Sequence, residues 1–497
     1  MNASGSMALR STALTLACLS LLPATAMASN WEMTSGQVTH KELHTGTREV
    51  RACPGGGSIS VGTAYGGTGN DDALAERLNV SSGLLFRYRY DTGGRAERAA
   101  QVAEFRDGTG FAVVGSLDPV PGTAPVSYFT ITKLDCNGNP LWRYYYGDAI
   151  DYNRGFDILQ AGSGDAAFST AAGDLVALGQ YYKPATATTP AIYRARIART
   201  KSSGTPIWVR DYQNAIAGDF ELQAIAELVP VAPSLTGDLV AVGRIAGETA
   251  LMQVNGNTGA VVCTARTRGL GTAQFHDVVG VKTSSGTPEV LTVGETASSG
   301  AASQVYLSRF VPNCLLRVHA VWGATADREI GWSTDLTLGG TYTGAPAGVM
   351  MIAGEVNGPY GGVANSQDAF TDLAHPQTLL PYVLPTGLPV IGKRYGTQGA
   401  GAEKAFALAA AGAGAYFGGS TTTDWLGNGD PQHALTVHPD ASAFKTVCSV
   451  DWNPPANQLP LSSGTFGVTV IAKSFNQLSR PTPIAVPDQR PCCTVVP

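Results

Sequence analysis

The chain has 497 residues and a formal net charge of −5, and only 14% of its residues are charged. Nucleic-acid binding needs a concentrated basic surface, so we expect no nucleic-acid partner. The 60 glycines are well above an average share of about 7%, and short Val- and Ile-rich runs recur between them. This composition indicates an all-β protein.

The first 28 residues are typical of a secretory signal. Arg10 supplies a positive charge, Ala13–Leu22 an apolar core, and Ala26–Ala28 a small-x-small site with cleavage expected after Ala28. The apolar run is too short to span a bilayer. We therefore expect export to the periplasm, the cell surface or the medium, and no transmembrane segment.

An apolar strand that ends in glycine recurs along the chain. Its seven copies are Ser58–Gly62, Phe111–Gly115, Leu175–Gly179, Leu239–Gly243, Val290–Gly294, Val349–Gly354 and Ala415–Gly419. A turn and a large apolar residue follow the copies, most clearly at Phe86, Trp142 and Trp208. Two anchors that keep their order over so many units predict a repeat architecture.

Each unit contains four strand-like runs separated by Gly, Asn and Asp turns. In the second unit they are Ala99–Phe105, Phe111–Gly115, Ser127–Leu134 and Pro140–Tyr146. We predict an all-β fold, a single seven-bladed β-propeller of four-stranded antiparallel blades, with six or eight blades as alternatives. The first strands of the blades are expected to start near residues 49, 98, 154, 219, 273, 328 and 403.

These patterns divide the chain into five segments. They are a signal peptide (1–28), an N-terminal segment (29–48), the propeller (49–452), a closing strand segment (453–478) and a Pro-rich, Cys-containing tail (479–497). Either Asn30–Arg48 or Phe466–Phe475 could add a strand that ties the ends of the ring together. The proline-rich tail is expected to be irregular.

The segment Lys133–Trp142, followed by Tyr146-Gly147, resembles the SBBP-type and quinoprotein-like propeller repeats of secreted bacterial proteins. The resemblance extends over nearly all of Glu49 to Trp452. It implies a secreted propeller but no particular activity, because propellers host many unrelated functions.

Candidate ligand-binding residues lie on loops that a propeller brings to one face. Loops between second and third strands contain Tyr65, Tyr182, Tyr360 and Trp425, whose rings suit stacking on sugars or peptides. The starts of first strands contain Arg98, Arg154, His276 and Arg328, which could grip an anionic ligand. The alternative is structural: the rings pack on their own loops, and the charges pair between blades.

No common catalytic motif occurs in the sequence. Asn70–Asp72 and the set Asp424, Asn428 and Asp430 offer oxygen ligands for calcium without EF-hand spacing. We expect no metal or cofactor, with calcium as the alternative. The leading hypothesis is an exported, non-enzymatic propeller that binds extracellular polysaccharide or protein through loops on one face.

Two other functions stay open. One is a propeller polysaccharide lyase or glycoside hydrolase that uses His276 or carboxylates at the channel mouth. The other is a structural module of an envelope or surface assembly, attached through the C-terminal tail.

Seven cysteines remain after the expected cleavage, and export permits disulfides. The outer edges of neighbouring blades diverge, whereas a disulfide needs Cα atoms within about 7 Å, so Cys263 and Cys314 are not expected to pair. We expect Cys492 or Cys493 to pin the tail to Cys448 or Cys53.

Overall fold

The computed structural model describes residues 31–35, 40–66, 71–118, 127–146, 152–162, 173–188, 190–214, 220–228, 237–267, 271–282, 287–297, 302–323, 328–336, 349–360, 363–383, 392–395, 402–411, 414–421, 433–438, 449–452, 456–458, 463–464, 468–472, 475–478, 482–485 and 489–491. Every regular element in these residues is a β-strand. They contain no helix with the length and apolar character needed to cross a membrane.

In chain order, the described strands begin with β1 (Trp31–Ser35), β2 (His40–Glu49), β3 (Ser58–Gly66), β4 (Asp71–Leu78), β5 (Leu84–Asp91), β6 (Glu97–Glu104), β7 (Phe111–Leu117), β8 (Tyr128–Leu134), β9 (Pro140–Tyr146), β10 (Tyr152–Gln160), β11 (Leu175–Lys183), β12 (Ile192–Thr200), β13 (Pro206–Asn214), β14 (Phe220–Glu227), β15 (Leu239–Ile245), β16 (Glu248–Val254), β17 (Val261–Thr267) and β18 (Thr272–Lys282). They continue with β19 (Pro288–Ala297), β20 (Gln304–Val311), β21 (Leu315–Trp322), β22 (Arg328–Leu336), β23 (Met350–Tyr360), β24 (Val363–Ala374), β25 (Gly392–Tyr395), β26 (Glu403–Ala411), β27 (Gly414–Thr421), β28 (His433–His438), β29 (Ser449–Trp452), β30 (Ala456–Gln458), β31 (Ser463–Gly464), β32 (Val468–Ala472), β33 (Phe475–Leu478), β34 (Thr482–Ala485) and β35 (Gln489–Pro491).

Six sheets are each built from four consecutive strands, which pair antiparallel. Sheets 1 to 6 begin with β2, β6, β10, β14, β18 and β22. Sheet 7 is composite, because β26–β28 are followed by the N-terminal strand β1. The predicted all-β propeller of four-stranded antiparallel units is therefore confirmed, but the count of seven such consecutive units is wrong. The described chain forms six of them and completes the last sheet with a strand from its other end.

The first strands of the sheets surround a common axis. The first strand of each sheet contacts that of the next, and β26 contacts β2, so the ring is closed. The expected starts of the first strands agree with the structure to within two residues, except in sheet 1, where β2 ends rather than begins at Glu49. Sequence reasoning missed β2 because its buried side chains include Glu42, His44 and Thr47, which break the apolar alternation.

The C-terminal strands β29–β35 form a belt around the outside of the ring. β29 pairs with β25 of sheet 6, and the next five strands pair in turn with the fourth strands of sheets 5, 4, 3, 2 and 1. The last, β35, pairs with β1 of sheet 7. The expectation of an irregular tail is wrong over Thr482–Ala485 and Gln489–Pro491. The outer strand of each sheet offers unpaired N–H and C=O groups. Segments of three or four residues of the tail pair with these groups and so form strands.

The turn between the third and fourth strands of a sheet packs on the fourth strand of the preceding sheet. At three interfaces a tyrosine hydroxyl donates to a glycine carbonyl of this turn: Tyr90 to Gly138 (2.8 Å), Tyr146 to Gly204 (3.1 Å) and Tyr212 to Gly259 (2.8 Å). The rings of Phe86, Trp142 and Trp208 lie against the same glycines. A Cβ atom on Gly138 would lie 2.9 Å from Phe86, so a larger residue there would separate the sheets.

Two disulfides join neighbouring sheets. Cys53 pairs with Cys136 between sheets 1 and 2, and Cys263 pairs with Cys314 between sheets 4 and 5, with Cα separations of 5.7 and 5.9 Å. The expectation that Cys263 and Cys314 stay apart is wrong, because the turn holding Cys314 folds against the preceding sheet. Cys53 is also not the partner of the tail. Cys448, Cys492 and Cys493 lie outside the described residues.

Candidate functional site

Every first strand contains a β-bulge at the same position. The bulged residues are Thr45, Ala100, Phe156, Gln223, His276, Trp332 and Phe406. A bulge inserts one extra residue and redirects its side chain. Four of these residues, which belong to successive sheets, contact one another in a row: Gln223, His276, Trp332 and Phe406. We call these four residues the bulge layer.

His276 is the centre of the described contacts in the bulge layer. Its Nδ1 lies 2.9 Å from Gln223 Oε1 and 3.2 Å from Gln274 Nε2, and its ring centroid lies 4.2 Å from that of Trp332. The Trp332 ring in turn lies 5.7 Å from Phe406. The result is a surface over sheets 4 to 7 that presents aromatic rings beside an amide and an imidazole.

Charged side chains above the bulge layer are arranged in pairs. His276 Nε2 lies 3.5 Å from Glu295, while Arg328 and Lys404 both bind Glu355 at 2.9 and 3.0 Å. Burial raises the pKa of Glu295, but the hydrogen bond and charge of His276, a hydrogen bond with Ser303 and the charge of Arg328 outweigh it and lower the pKa below its ordinary value. The Glu295 carboxylate is therefore held ionised by its partners.

The carboxylates with raised pKa values have a structural role. Asp157 accepts a 2.8 Å hydrogen bond from the Ile225 backbone in the next sheet, and Asp277 accepts bonds from the side chain of Ser333 (2.6 Å) and the backbone of Thr334 (2.9 Å), also in the next sheet. Burial, with the charge of Asp157, raises the pKa of Asp277 to about 7. Both side chains lock successive first strands together.

A group of five half-buried tyrosines lies on the same face as the channel mouth. We call it the tyrosine patch; it consists of Tyr128, Tyr145, Tyr152, Tyr182 and Tyr193. Starts of first and third strands and ends of second and fourth strands share one face of an antiparallel propeller, and all five residues lie at such positions.

Three of these rings form a row across sheet 3. Tyr182 is paired directly with Tyr152 on one side and Tyr193 on the other, with ring centroids 6.0 and 4.7 Å apart. In sheet 2 Tyr128 lies 4.7 Å from Tyr145. Two hydrogen bonds between Asn153 and Ser127, of 2.8 and 2.9 Å, join sheets 2 and 3. Because side chains alternate along a strand, the pair Tyr128 and Tyr145 faces sheet 1 whereas the row in sheet 3 faces sheet 4, so the tyrosine patch consists of two separate groups of rings.

The predicted ligand-binding residues fall into three sets. Tyr182 belongs to the tyrosine patch with Arg154 nearby and exposed, and His276 belongs to the bulge layer with Arg328 above it. Arg98 instead forms ion pairs with Asp71 (2.7 Å) and Asp118 (2.8 Å). Tyr65 is half-buried, and the charge of Arg98 acts on its hydroxyl group. Tyr360 ends β23, where its backbone pairs with Val363, and Trp425 lies outside the described residues.

Sequence reasoning missed Trp332 and Phe406. Both follow a small residue, Gly331 and Ala405, near the start of a first strand, as Phe156 follows Gly155. This recurring pair of a small residue and an aromatic one marks the position of the bulge in the sequence. The aromatic residues were not recognised as site residues because a bulge breaks the alternation of buried and exposed side chains.

The candidate calcium ligands that are described have other partners. Asp71 binds Arg98, and Asp72 lies 3.4 Å from Arg89. No group of three or more His, Cys, Asp or Glu side chains in the described part of the chain could hold a metal ion. The candidate set at Asp424, Asn428 and Asp430 lies outside it.

No protein-family model matches the chain, and no curated protein matches it either. The face that contains the channel mouth and the tyrosine patch, which we call the upper face, therefore supplies the evidence for function.

Proposed function

We propose that this protein is an exported, non-enzymatic β-propeller that binds an extracellular polysaccharide on its upper face. The row of Tyr152, Tyr182 and Tyr193 carries the proposal. Half-buried tyrosines combine apolar ring faces with polar hydroxyl groups, which matches the alternation of apolar C–H faces and hydroxyl groups on a sugar. The bulge layer adds a second set of aromatic rings, Trp332 and Phe406, in sheets 6 and 7.

Export and family membership are part of the same proposal. The secretory signal pattern and the disulfides Cys53–Cys136 and Cys263–Cys314 support an oxidising destination, because disulfides are rare in the cytosol. The antiparallel propeller fold supports kinship with the SBBP-type repeats of secreted proteins.

The described carboxylates favour binding over glycoside hydrolysis. A glycosidase needs a carboxylic acid with a raised pKa beside the bond that it cleaves. At the mouth, Glu295 has a lowered pKa and Glu355 is bound by two cations. Asp157 and Asp277 have raised pKa values, but they are engaged with the backbone of the next sheet. Asp72 lies at the start of a third strand with a pKa raised to about 6, and its carboxylate lies 3.4 Å from Arg89.

A glycan array with the purified protein tests this proposal, together with an assay for released sugars. We expect retention on polysaccharides without product release. The substitution Tyr182→Ala should weaken binding about two- to tenfold, because a stacked aromatic contact contributes about 0.5–1.5 kcal/mol.

Tyr88→Ala is the matched control. Tyr88 also packs on two rings, Phe86 at 5.4 Å and Tyr90 at 6.4 Å, but outside the upper face. Binding that Tyr182→Ala leaves intact, or that both substitutions weaken equally, would contradict the proposal. Release of sugar products would replace it with the enzymatic alternative.

A further inference from the structure

The cations around the tyrosine patch lack acidic partners among the described residues. Arg154 lies two residues after Tyr152 on the same strand and is exposed, and Lys183 follows Tyr182 and is also exposed. The guanidinium of Arg95 lies 5.9 Å from the centre of the Tyr128 ring. The ion pairs within the described part of the chain include none of these three cations.

The rest of the upper face is neutralised in pairs. In sheets 1 and 2, Arg98 is bound by two aspartates. In sheet 4, Arg244 binds Glu221 at 3.0 Å and Arg266 binds Glu248 at 3.2 Å. At the channel mouth, Glu355 binds both Arg328 and Lys404. Among the described residues, the row of Tyr152, Tyr182 and Tyr193 is thus flanked by two exposed cations, Arg154 and Lys183, that lie in no ion pair with a described carboxylate.

We propose that the row of Tyr152, Tyr182 and Tyr193 in the tyrosine patch binds an acidic polysaccharide, with sugar rings against the tyrosines and anionic groups paired with Arg154 and Lys183. This inference rests on the proposed function and specifies its ligand. Arg and Lys both pair with carboxylate and sulfate groups, so the shared chemistry is an anionic group repeated along a sugar chain. Gln180 lies directly opposite Arg154 on the neighbouring strand, and its buried Nε2 has no hydrogen-bond partner among the described residues.

The test is titration of the purified protein with three polymers of matched length: polygalacturonate, dextran sulfate and neutral dextran. We expect at least one acidic polymer to bind tenfold or more tightly than dextran. This preference should shrink as salt is raised from about 0.05 to about 0.5 M, because salt screens exposed charges. The two acidic polymers distinguish carboxylate from sulfate recognition, and preference for either supports the inference.

The double substitution Arg154→Gln with Lys183→Gln should weaken binding of the preferred acidic polymer at least fivefold. Arg317→Gln removes an exposed arginine near the opposite end of its sheet and should leave affinity unchanged. Acidic-polymer binding that survives the double substitution would overturn the inference. Equal binding of dextran and the acidic polymers would also overturn it while leaving the proposed function in place, whereas failure of all three polymers to bind would contradict both.

Discussion

The hydroxyl of Tyr212 in sheet 3 donates a 2.8 Å hydrogen bond to the carbonyl of Gly259 in sheet 4. Both groups are buried at the interface, where the Trp208 ring also lies against Gly259 and its Nε1 donates to the Gly256 carbonyl at 3.2 Å. The same relationship recurs at the two preceding interfaces. Neighbouring sheets are therefore joined by a specific polar contact as well as by apolar packing.

Removing this hydroxyl should destabilise the protein. Tyr212→Phe leaves the Gly259 carbonyl without its donor, and we expect a loss of about 1 kcal/mol in the free energy of unfolding. Denaturant unfolding measures it. Tyr152→Phe, which removes a hydroxyl from a half-buried ring on the upper face, is the control and should change stability much less. Equal losses would show that the interface bond has no special role.

Both disulfides should be present in the protein isolated under non-reducing conditions. Non-reducing peptide mapping should find Cys53 linked to Cys136 and Cys263 linked to Cys314. Replacing Cys263 and Cys314 together by alanine should lower the free energy of unfolding by about 2–4 kcal/mol, since a disulfide restricts the unfolded chain. A link from Cys53 to Cys448 or to the tail would be incompatible with this structure.

Stability should fall as the pH rises from 4 to 8. Burial raises the pKa of Glu42 to about 7, that of Asp72 to about 6 and that of Asp277 to about 7. The folded state therefore binds more protons than the unfolded state between pH 4 and 7. This contribution is complete below about pH 4 and is lost as the pH passes 7.

Thermal unfolding at pH 5 and pH 8 measures this effect. We expect the higher melting temperature at pH 5. The substitution Glu42→Gln removes one of the three groups and should reduce the difference between the two pH values. A higher melting temperature at pH 8 would contradict these raised pKa values.

The C-terminal belt should stabilise the ring. Ending the chain after Cys448 removes β29–β35 and exposes β1, which lies between β28 and β35. We expect a lower melting temperature and faster hydrogen exchange in Trp31–Ser35. Ending it after Leu478 keeps five of the belt strands and should lower the melting temperature less. Equal melting temperatures for the full chain and both truncations would show that the belt contributes nothing.

Local patterns were enough to predict most of the sheets. The four strands of the second unit lie within two residues of their expected bounds, because each is an apolar run between turns that require Gly, Asn or Asp. One belt strand, Val468–Ala472, lies within the run Phe466–Phe475 that was expected to form a strand, and the other six were missed because they have only two to four residues, too few to show a period. Their pairing depends on sheet edges that lie far away in the sequence.

Part of the candidate site could also be predicted. His276 and Tyr182 were identified because propeller topology brings strand ends to one face. Their partners were not: the row of Tyr152 and Tyr193 beside Tyr182 depends on the register of three strands. The pairing of Arg98 with Asp71 and Asp118 depends on contacts between strands that are distant in sequence.

Hydrogen exchange of the protein with and without bound polysaccharide tests the central claim most directly, since it maps the binding surface residue by residue. We predict slower exchange at Tyr152–Arg154 and at Gln180–Lys183 when polygalacturonate or another retained polymer is bound. Residues 53–57 and 135–139, on the opposite face, should be unchanged. Protection confined to that opposite face, or no protection at the tyrosine patch despite measured binding, would contradict the account.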